Sequence, residues 1–260
     1  MNTVWVFAAG MRRGGSTLQY HLARELVEYA GGFNAGWVTW QNFDKCFKKY
    51  DGSHPFVILK GHCYYPDHSD CARRLFDKGR IKALHIYRDI RDIAASYVQM
   101  RKKSIWDYIL NTEIPSILRE HELWIALPKE QIHITSYEKY MFGYEMELMK
   151  YFLEISMPPS ELVYAMSRHT LEAHKQLIAT QEYDASNQRF NTNSLMWDNH
   201  IADGKVGKYK TVLTQEQIEQ VETVAYDYLR EKGYIDDNGQ LYEGGHGDVP
   251  GDPASERTTG

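Results

Sequence analysis

Four clusters of residues in this chain have the types and spacing that chemistry on an anionic substrate requires. The first is Gly10-Met11-Arg12-Arg13-Gly14-Gly15-Ser16-Thr17. Small residues let backbone N–H groups converge on an anion, and a helix starting there adds its dipole. Arg12 and Arg13 place positive charge in the loop, and Ser16 and Thr17 can donate hydroxyl hydrogen bonds. The second is Lys60-Gly61-His62, a cation close to an imidazole that is neutral near physiological pH and able to take a proton. The third runs from Arg88 to Tyr97, with Arg88 at the end of an apolar run and Ser96 about two helical turns further on. Those two side chains face one phosphate only if the chain turns back between them. The fourth is Gly204-Lys205-Val206-Gly207-Lys208-Tyr209-Lys210, which has the glycines that a closing loop needs. Each cluster also has a plainer explanation. These are a glycine turn, one ordinary histidine among eleven, a solvated helix start with Asp89 and Asp92 as first-turn acids, and a flexible basic loop.

The first cluster has the outline GxxxxGK[ST] of a nucleotide phosphate loop, but Ser16 stands where the lysine belongs. Kinases and ATPases need that lysine on the phosphates and a Mg²⁺ held by a carboxylate. A sulfuryl group carries less charge than a phosphoryl group, so cationic side chains can bear the charge of its transfer without a metal. The clusters together resemble the motifs of sulfotransferases that use 3′-phosphoadenosine 5′-phosphosulfate (PAPS). Arg13, Gly15, Ser16 and Thr17 match the family's 5′-phosphosulfate loop, GxPRSGTT, while Arg12 and Gly14 replace its Pro and Ser. Arg88, Asp92, Ser96 and Tyr97 match its 3′-phosphate motif, R-[ND]-P-x-D-x-x-x-S, with Ile90 in the Pro place. Lys60-Gly61-His62 resembles K-T-H, whose histidine is the family's general base, with Gly61 replacing Thr. Ser136-Tyr137-Glu138 resembles Y-E-D, whose aromatic residue lies near adenine. The late loop resembles R-K-G-x-x-G-x-W-K. There Ala202 and Asp203 replace the Arg-Lys pair, leaving Lys205 or Lys208 to make its contact.

The resemblance implies PAPS as co-substrate, adenosine 3′,5′-bisphosphate (PAP) as product, and no metal. It implies a binding set of Arg12, Arg13, Gly14, Gly15, Ser16, Thr17, Arg88, Ser96, Tyr137, Gly204, Lys205 and Lys208. It implies His62 as base, with Lys60 and Arg13 stabilising charge. Some branches of the family use a carboxylate base instead, and the sequence does not single one out. Two rivals stay open: a P-loop kinase or other phosphotransferase, and a non-catalytic nucleotide-binding protein. The acceptor is expected to be a small molecule with a hydroxyl or amine. Trp106, Tyr108, Trp124, Tyr183 and Trp197 either line its pocket or pack the core.

The elements that must position these groups follow from periodicity. Apolar runs at 3–8, 56–59, 81–87 and 132–135 predict strands. Helical spacing predicts helices after Ser16, which can cap the first, from Asp89, over 138–155 and 159–177, and over 214–229. Thr214, with Glu216 and Gln217 in its first turn, marks the last helix start, and Gly233 follows its end. Alternating strands and helices predict an α/β three-layer sandwich with a central, mostly parallel sheet, like that of P-loop NTPases. Ligands in such sheets bind beyond the carboxyl ends of the strands, where these clusters fall. One domain over 1–235 is expected, then a disordered tail over 236–260 rich in Gly, Pro, Asp and Ser.

With 260 residues, 43% hydrophobic and 25% charged, the chain can bury a full core. A formal charge of −5 argues against a general nucleic-acid partner, so any anion site is local. No segment has the length and apolarity to span a bilayer, and no leader is apparent. Cys46, Cys63 and Cys71 lack metal-type spacing and read as free thiols, which points to the cytoplasm. A homo-oligomer is compatible with the sequence but not specified by it.

Overall fold

In the computed structural model, residues 2–101, 105–140, 144–183, 189–197 and 204–236 are described. The apolar run at the start of the chain becomes β1 (Val4–Ala8), the middle strand of a sheet. On one side β1 pairs with β3 (Phe56–Lys60), Val4 opposite Phe56 and Ala8 opposite Lys60. On the other it pairs with β4 (Ile81–Tyr87), Trp5 opposite Ile81 and Ala8 opposite Leu84. The edges are β2 (Phe33–Trp37), beside β3, and β5 (Ile132–Ser136), beside β4. The order is β2-β3-β1-β4-β5 and all pairs are parallel, so the sheet expected to be mostly parallel is wholly so. A separate short antiparallel pair joins Phe190–Asn191 and Met196–Trp197.

The three inner strands, β1, β3 and β4, are largely buried on both faces, as parallel strands under helices must be. Trp5 and Phe7 point into a core with Val57, Leu59, Ile81 and Ala83. That core is closed by Phe43 of α2 (Trp40–Tyr50), Leu75 and Phe76 of α3 (Asp70–Asp77), and Trp124. Val6, Ala8 and Ile58, the alternate residues, are also fully buried. Helix α1 (Ser16–Tyr29) packs on the sheet through its buried Tyr20, Ala23, Leu26 and Val27.

Several expected elements are subdivided. Helix α4 (Ile90–Arg101) is followed by a one-turn α5 (Trp106–Tyr108), a π-turn at Ile109–Glu113, and α6 (Ile114–Ile125). The helix expected over 138–155 is α7 (Tyr137–Tyr140) and α8 (Glu145–Phe152). The one expected over 159–177 breaks into α9 (Pro159–Ser167) and α10 (Leu171–Thr180), because Thr170 turns extended and caps the second piece through Ala173 N. After α11 (Tyr209–Val212), the last expected helix is α12 (Gln215–Val224) and α13 (Tyr226–Glu231), parted at Ala225. Thr214 and Gln217 form the reciprocal capping box that their spacing implies, and Gly233 adopts a left-handed φ of 70° past the end.

The chain forms two compact units, Met1–Tyr87 with Glu120–Lys205, and Arg88–Arg119 with Val206–Gly260. The first holds the whole five-stranded sheet. The tail expected to be disordered lies, apart from Asp236, outside the described residues. All three cysteines are free. Among the described residues, no helix is long and apolar enough to cross a membrane.

Candidate active site

In the first unit, the ends of β1 and β3 present the phosphate loop and the Lys60-Gly61-His62 segment. They adjoin the point where the chain, having built β2 and β3 on one side of β1, continues with β4 on the other. The loop is laid along β4, with Ala9 N donating to Leu84 O and Met11 N to Ile86 O, at 2.9 and 2.8 Å. Gly10 must be glycine, since a Cβ there would overlap the Ile86 side chain. Ser16 does not cap α1. The N-cap is Gly15, at φ 94°, which has no side chain with which to cap the helix. A helix start whose N-cap is glycine suits an anion, whose oxygens take the place of a capping side chain. Arg13 also sits in the left-handed region, at φ 67°, uncommon for a residue with a Cβ.

Tyr137 closes one side of this loop. A Cβ on Gly15 would lie 2.5 Å from its ring, so packing and backbone both demand glycine there. Its hydroxyl donates to Gly204 O at 3.1 Å. Thus Gly15, Tyr137 and Gly204, drawn from three separate motifs, meet in one place. Lys205 is exposed nearby in sequence.

Lys60 ends β3 with its side chain buried, and its ammonium donates to the Thr17 hydroxyl. Burial and the neighbouring Arg13 cation pull its pKa down to about 7. His62 donates from Nδ1 to Gly10 O at 2.8 Å. That bond places the proton on Nδ1 and leaves Nε2 as the lone-pair nitrogen. Burial, then the Lys60 and Arg12 cations, hold the His62 pKa down at about 3, against the opposing bond to Gly10. The ring is therefore neutral over the physiological range. Trp124 Nε1 donates to His62 O at 3.3 Å, so this fully buried tryptophan supports His62 from the core. Of the other aromatics expected at a pocket, Trp106 donates to Gln220 at 2.7 Å and Tyr183 to Ile178 O at 2.8 Å.

Two residues that sequence reasoning did not single out belong here. Trp37, at the end of β2, is 45% exposed and meets the His62 ring edge-on at 5.4 Å. The Lys60 ammonium lies 6.0 Å from the same indole. Close in sequence, exposed Trp40 stacks on His68 at 4.9 Å. Tyr65 accounts for Gly61. Its hydroxyl, bonded to Val38 O, fills the space that a Cβ at residue 61 would take.

In the second unit, Asp89 caps α4 by accepting from Arg91 N at 2.9 Å. Arg91 is held by Asp89 and Glu222, both at 2.7 Å, and lies 4.5 Å over the Tyr209 ring. Arg88, 6% exposed, donates to Asp92 at 3.1 Å, so its side chain folds back on the first turn of α4. Ser96, also buried, follows Asp92 by one helical turn on the same face. Lys208 donates to Gln99 at 2.8 Å. Among the described residues, no cluster of His, Cys, Asp or Glu is arranged to hold a metal ion.

The sulfotransferase domain model matches residues 58–233, more than half of the chain and both units. The chain belongs to the sulfotransferase family. As a member, it is a PAPS-dependent transferase. The family match begins at Ile58, so it includes Lys60, His62, Arg88 and Ser96 but not the phosphate loop. Among solved structures, this sulfotransferase resembles retinol dehydratase in complex with androsterone and inactive cofactor PAP. The two are 14% identical with a TM-score of 0.62, over 92% of this chain and 84% of that one. A mouse sulfotransferase complexed with PAP is 14% identical with a TM-score of 0.59, over 88% and 84%. The sulfotransferase domain of the curacin biosynthetic pathway is 13% identical with a TM-score of 0.51, over 88% and 98%. At these identities the likeness establishes the fold. No curated protein matches the chain.

Gly61→Ala is expected to destabilise the protein by about 1–3 kcal/mol through overpacking against Tyr65. Adding Tyr65→Phe should recover part of the loss. Urea unfolding of the two variants checks this, and an unchanged midpoint for Gly61→Ala would contradict the packing argument.

Proposed function

We propose that this sulfotransferase moves the sulfuryl group of PAPS to a hydroxyl or amine of a small, ring-bearing acceptor, with His62 as general base. The observation that carries the reading is the grouping of a buried Lys60 on the Thr17 hydroxyl with an imidazole whose Nδ1–H is fixed on Gly10 O. In this reading the loop from Arg12 to Thr17 holds the 5′-phosphosulfate, Arg88 and Ser96 hold the 3′-phosphate, and Tyr137 lies by the adenine. Gly204, Lys205 and Lys208 contribute from the late loop. As the acceptor atom bonds to sulfur, Nε2 of His62 takes its proton and the bond from sulfur to the phosphate oxygen breaks. Lys60 and Arg13 bear the charge that gathers on that oxygen, releasing PAP. Bound anion offsets the two cations that depress His62, which raises its basicity when a base is needed.

Residues 1–235 are read as one functional domain, which the family match over 58–233, spanning parts of both units, supports. Trp37 supports the acceptor class. An exposed indole beside the base offers a planar face to an aromatic or cationic ring. PAP, but not ATP with Mg²⁺, is expected to raise the melting temperature, and the opposite result would favour a phosphotransferase.

His62→Ala should leave PAP affinity near normal and lower turnover on the order of 10²–10⁴-fold. Unchanged turnover in single-turnover kinetics would remove His62 from the chemistry. Arg88→Ala should weaken PAP more than adenosine 5′-phosphate, and calorimetry showing equal losses would contradict the 3′-phosphate assignment. Lys60 gives a pH dependence of definite sign. Its ammonium form, about half populated at pH 7 and dominant below it, is the form that an anion selects. PAP affinity should therefore fall as pH rises above that point, by up to about tenfold per pH unit. Lys60→Met should bind weakly with that slope removed; a flat wild-type profile would exclude Lys60 from the nucleotide.

A further inference from the structure

The Asp92 carboxylate is fully buried in the second unit, and three donors converge on it. The Arg88 guanidinium bonds Oδ2 at 3.1 Å. Gly207 N donates to the same oxygen at 2.8 Å, and Tyr209 N to Oδ1 at 3.0 Å. A buried carboxylate demands such satisfaction, and losing one partner leaves charge stranded. Two of these donors are backbone groups of the late glycine loop, where Gly207 holds a left-handed φ of 74°. The third is the arginine placed on the 3′-phosphate. The Tyr209 ring is gripped as well, under Arg91 of the same helix turn.

We propose that Asp92 is a positioning residue that couples recognition of the 3′-phosphate to the fold of the loop around Gly207 and Tyr209. The inference rests on the assignment of Arg88 to that phosphate. An anion that engages Arg88 alters the same carboxylate that fixes the two loop amides. By reciprocity, a loop held in place by Asp92 favours the nucleotide that bears a 3′-phosphate. Asp92 need not touch the nucleotide. A side chain serving only to stabilise the fold would affect nucleotides with and without that phosphate alike.

Hydrogen exchange at Gly207 and Tyr209 tests the coupling in the whole protein. PAP should slow exchange of these two amides about tenfold more than saturating adenosine 5′-phosphate does, within the usual range of coupling between sites. Equal protection by both nucleotides overturns the proposal, and this wild-type comparison stands even if no variant folds. Asp92→Asn keeps the shape but loses the charge. It should speed exchange at both amides and reduce the preference for PAP over adenosine 5′-phosphate. Adding it to Arg88→Ala should cost no further preference. If Arg88→Ala alone leaves the preference intact, the 3′-phosphate assignment is what fails. If Arg88→Ala abolishes it and Asp92→Asn does not, the coupling alone is overturned.

Discussion

An ammonium group at the end of a central strand, sealed from water and, among the described residues, bonded to a hydroxyl rather than a carboxylate, is the constraint around which the first unit is organised. Burying a cation without a counter-ion is unfavourable, and the Lys60 group responds by holding its proton less tightly. Arg13 adds a second cation next to it, and both lower the basicity of groups around them. Such an arrangement suits the anion that the proposed function assigns to this loop. The chain carries a net charge of −5, so the field is local, made by three cations at the ends of two strands. Burial and, after it, the same local field hold His62 neutral.

The second unit solves its electrostatics the other way. Arg91 is saturated by Asp89 and Glu222, and Arg88 is held by Asp92. Arg91 is thus scaffold, although in sequence it stands only three residues from Arg88. Both arginines follow the same strand, and spacing alone does not tell which of them is locked in a network. The acids named as ordinary first-turn residues prove different from one another. Asp89 caps the helix in the usual way, whereas Asp92 binds the late loop.

Strands with continuous apolar runs were legible to within a residue or two, as β1, β3, β4 and β5 show. The edge strand β2 was not, because its sequence FNAGW has no alternation and shifts register between Asn34 and Gly36. Helices α2 and α3 were missed although Trp40, Phe43, Phe47 and Tyr50, and Cys71, Ala72, Leu75 and Phe76, fall at helical spacing; at 11 and 8 residues each offers only a short stretch of that period. The phosphate loop, the Lys60-His62 pair and the Arg88 helix start stood out because glycines and cations after apolar runs are local signals. Trp37 did not, since its role comes from a strand that the sequence hid. Gly61 looked like a departure from a motif. Its cause is the Tyr65 hydroxyl, a contact visible only in three dimensions.

The backbone at Arg13 has a consequence for how this protein changes over time. A left-handed φ of 67° disfavours any side chain, and glycine would relax it. The chain keeps an arginine there regardless. Screening variants for heat resistance alone would therefore reward glycine at this position and discard a loop cation with each gain. At residue 13, heat resistance and the charge of the loop pull in opposite directions.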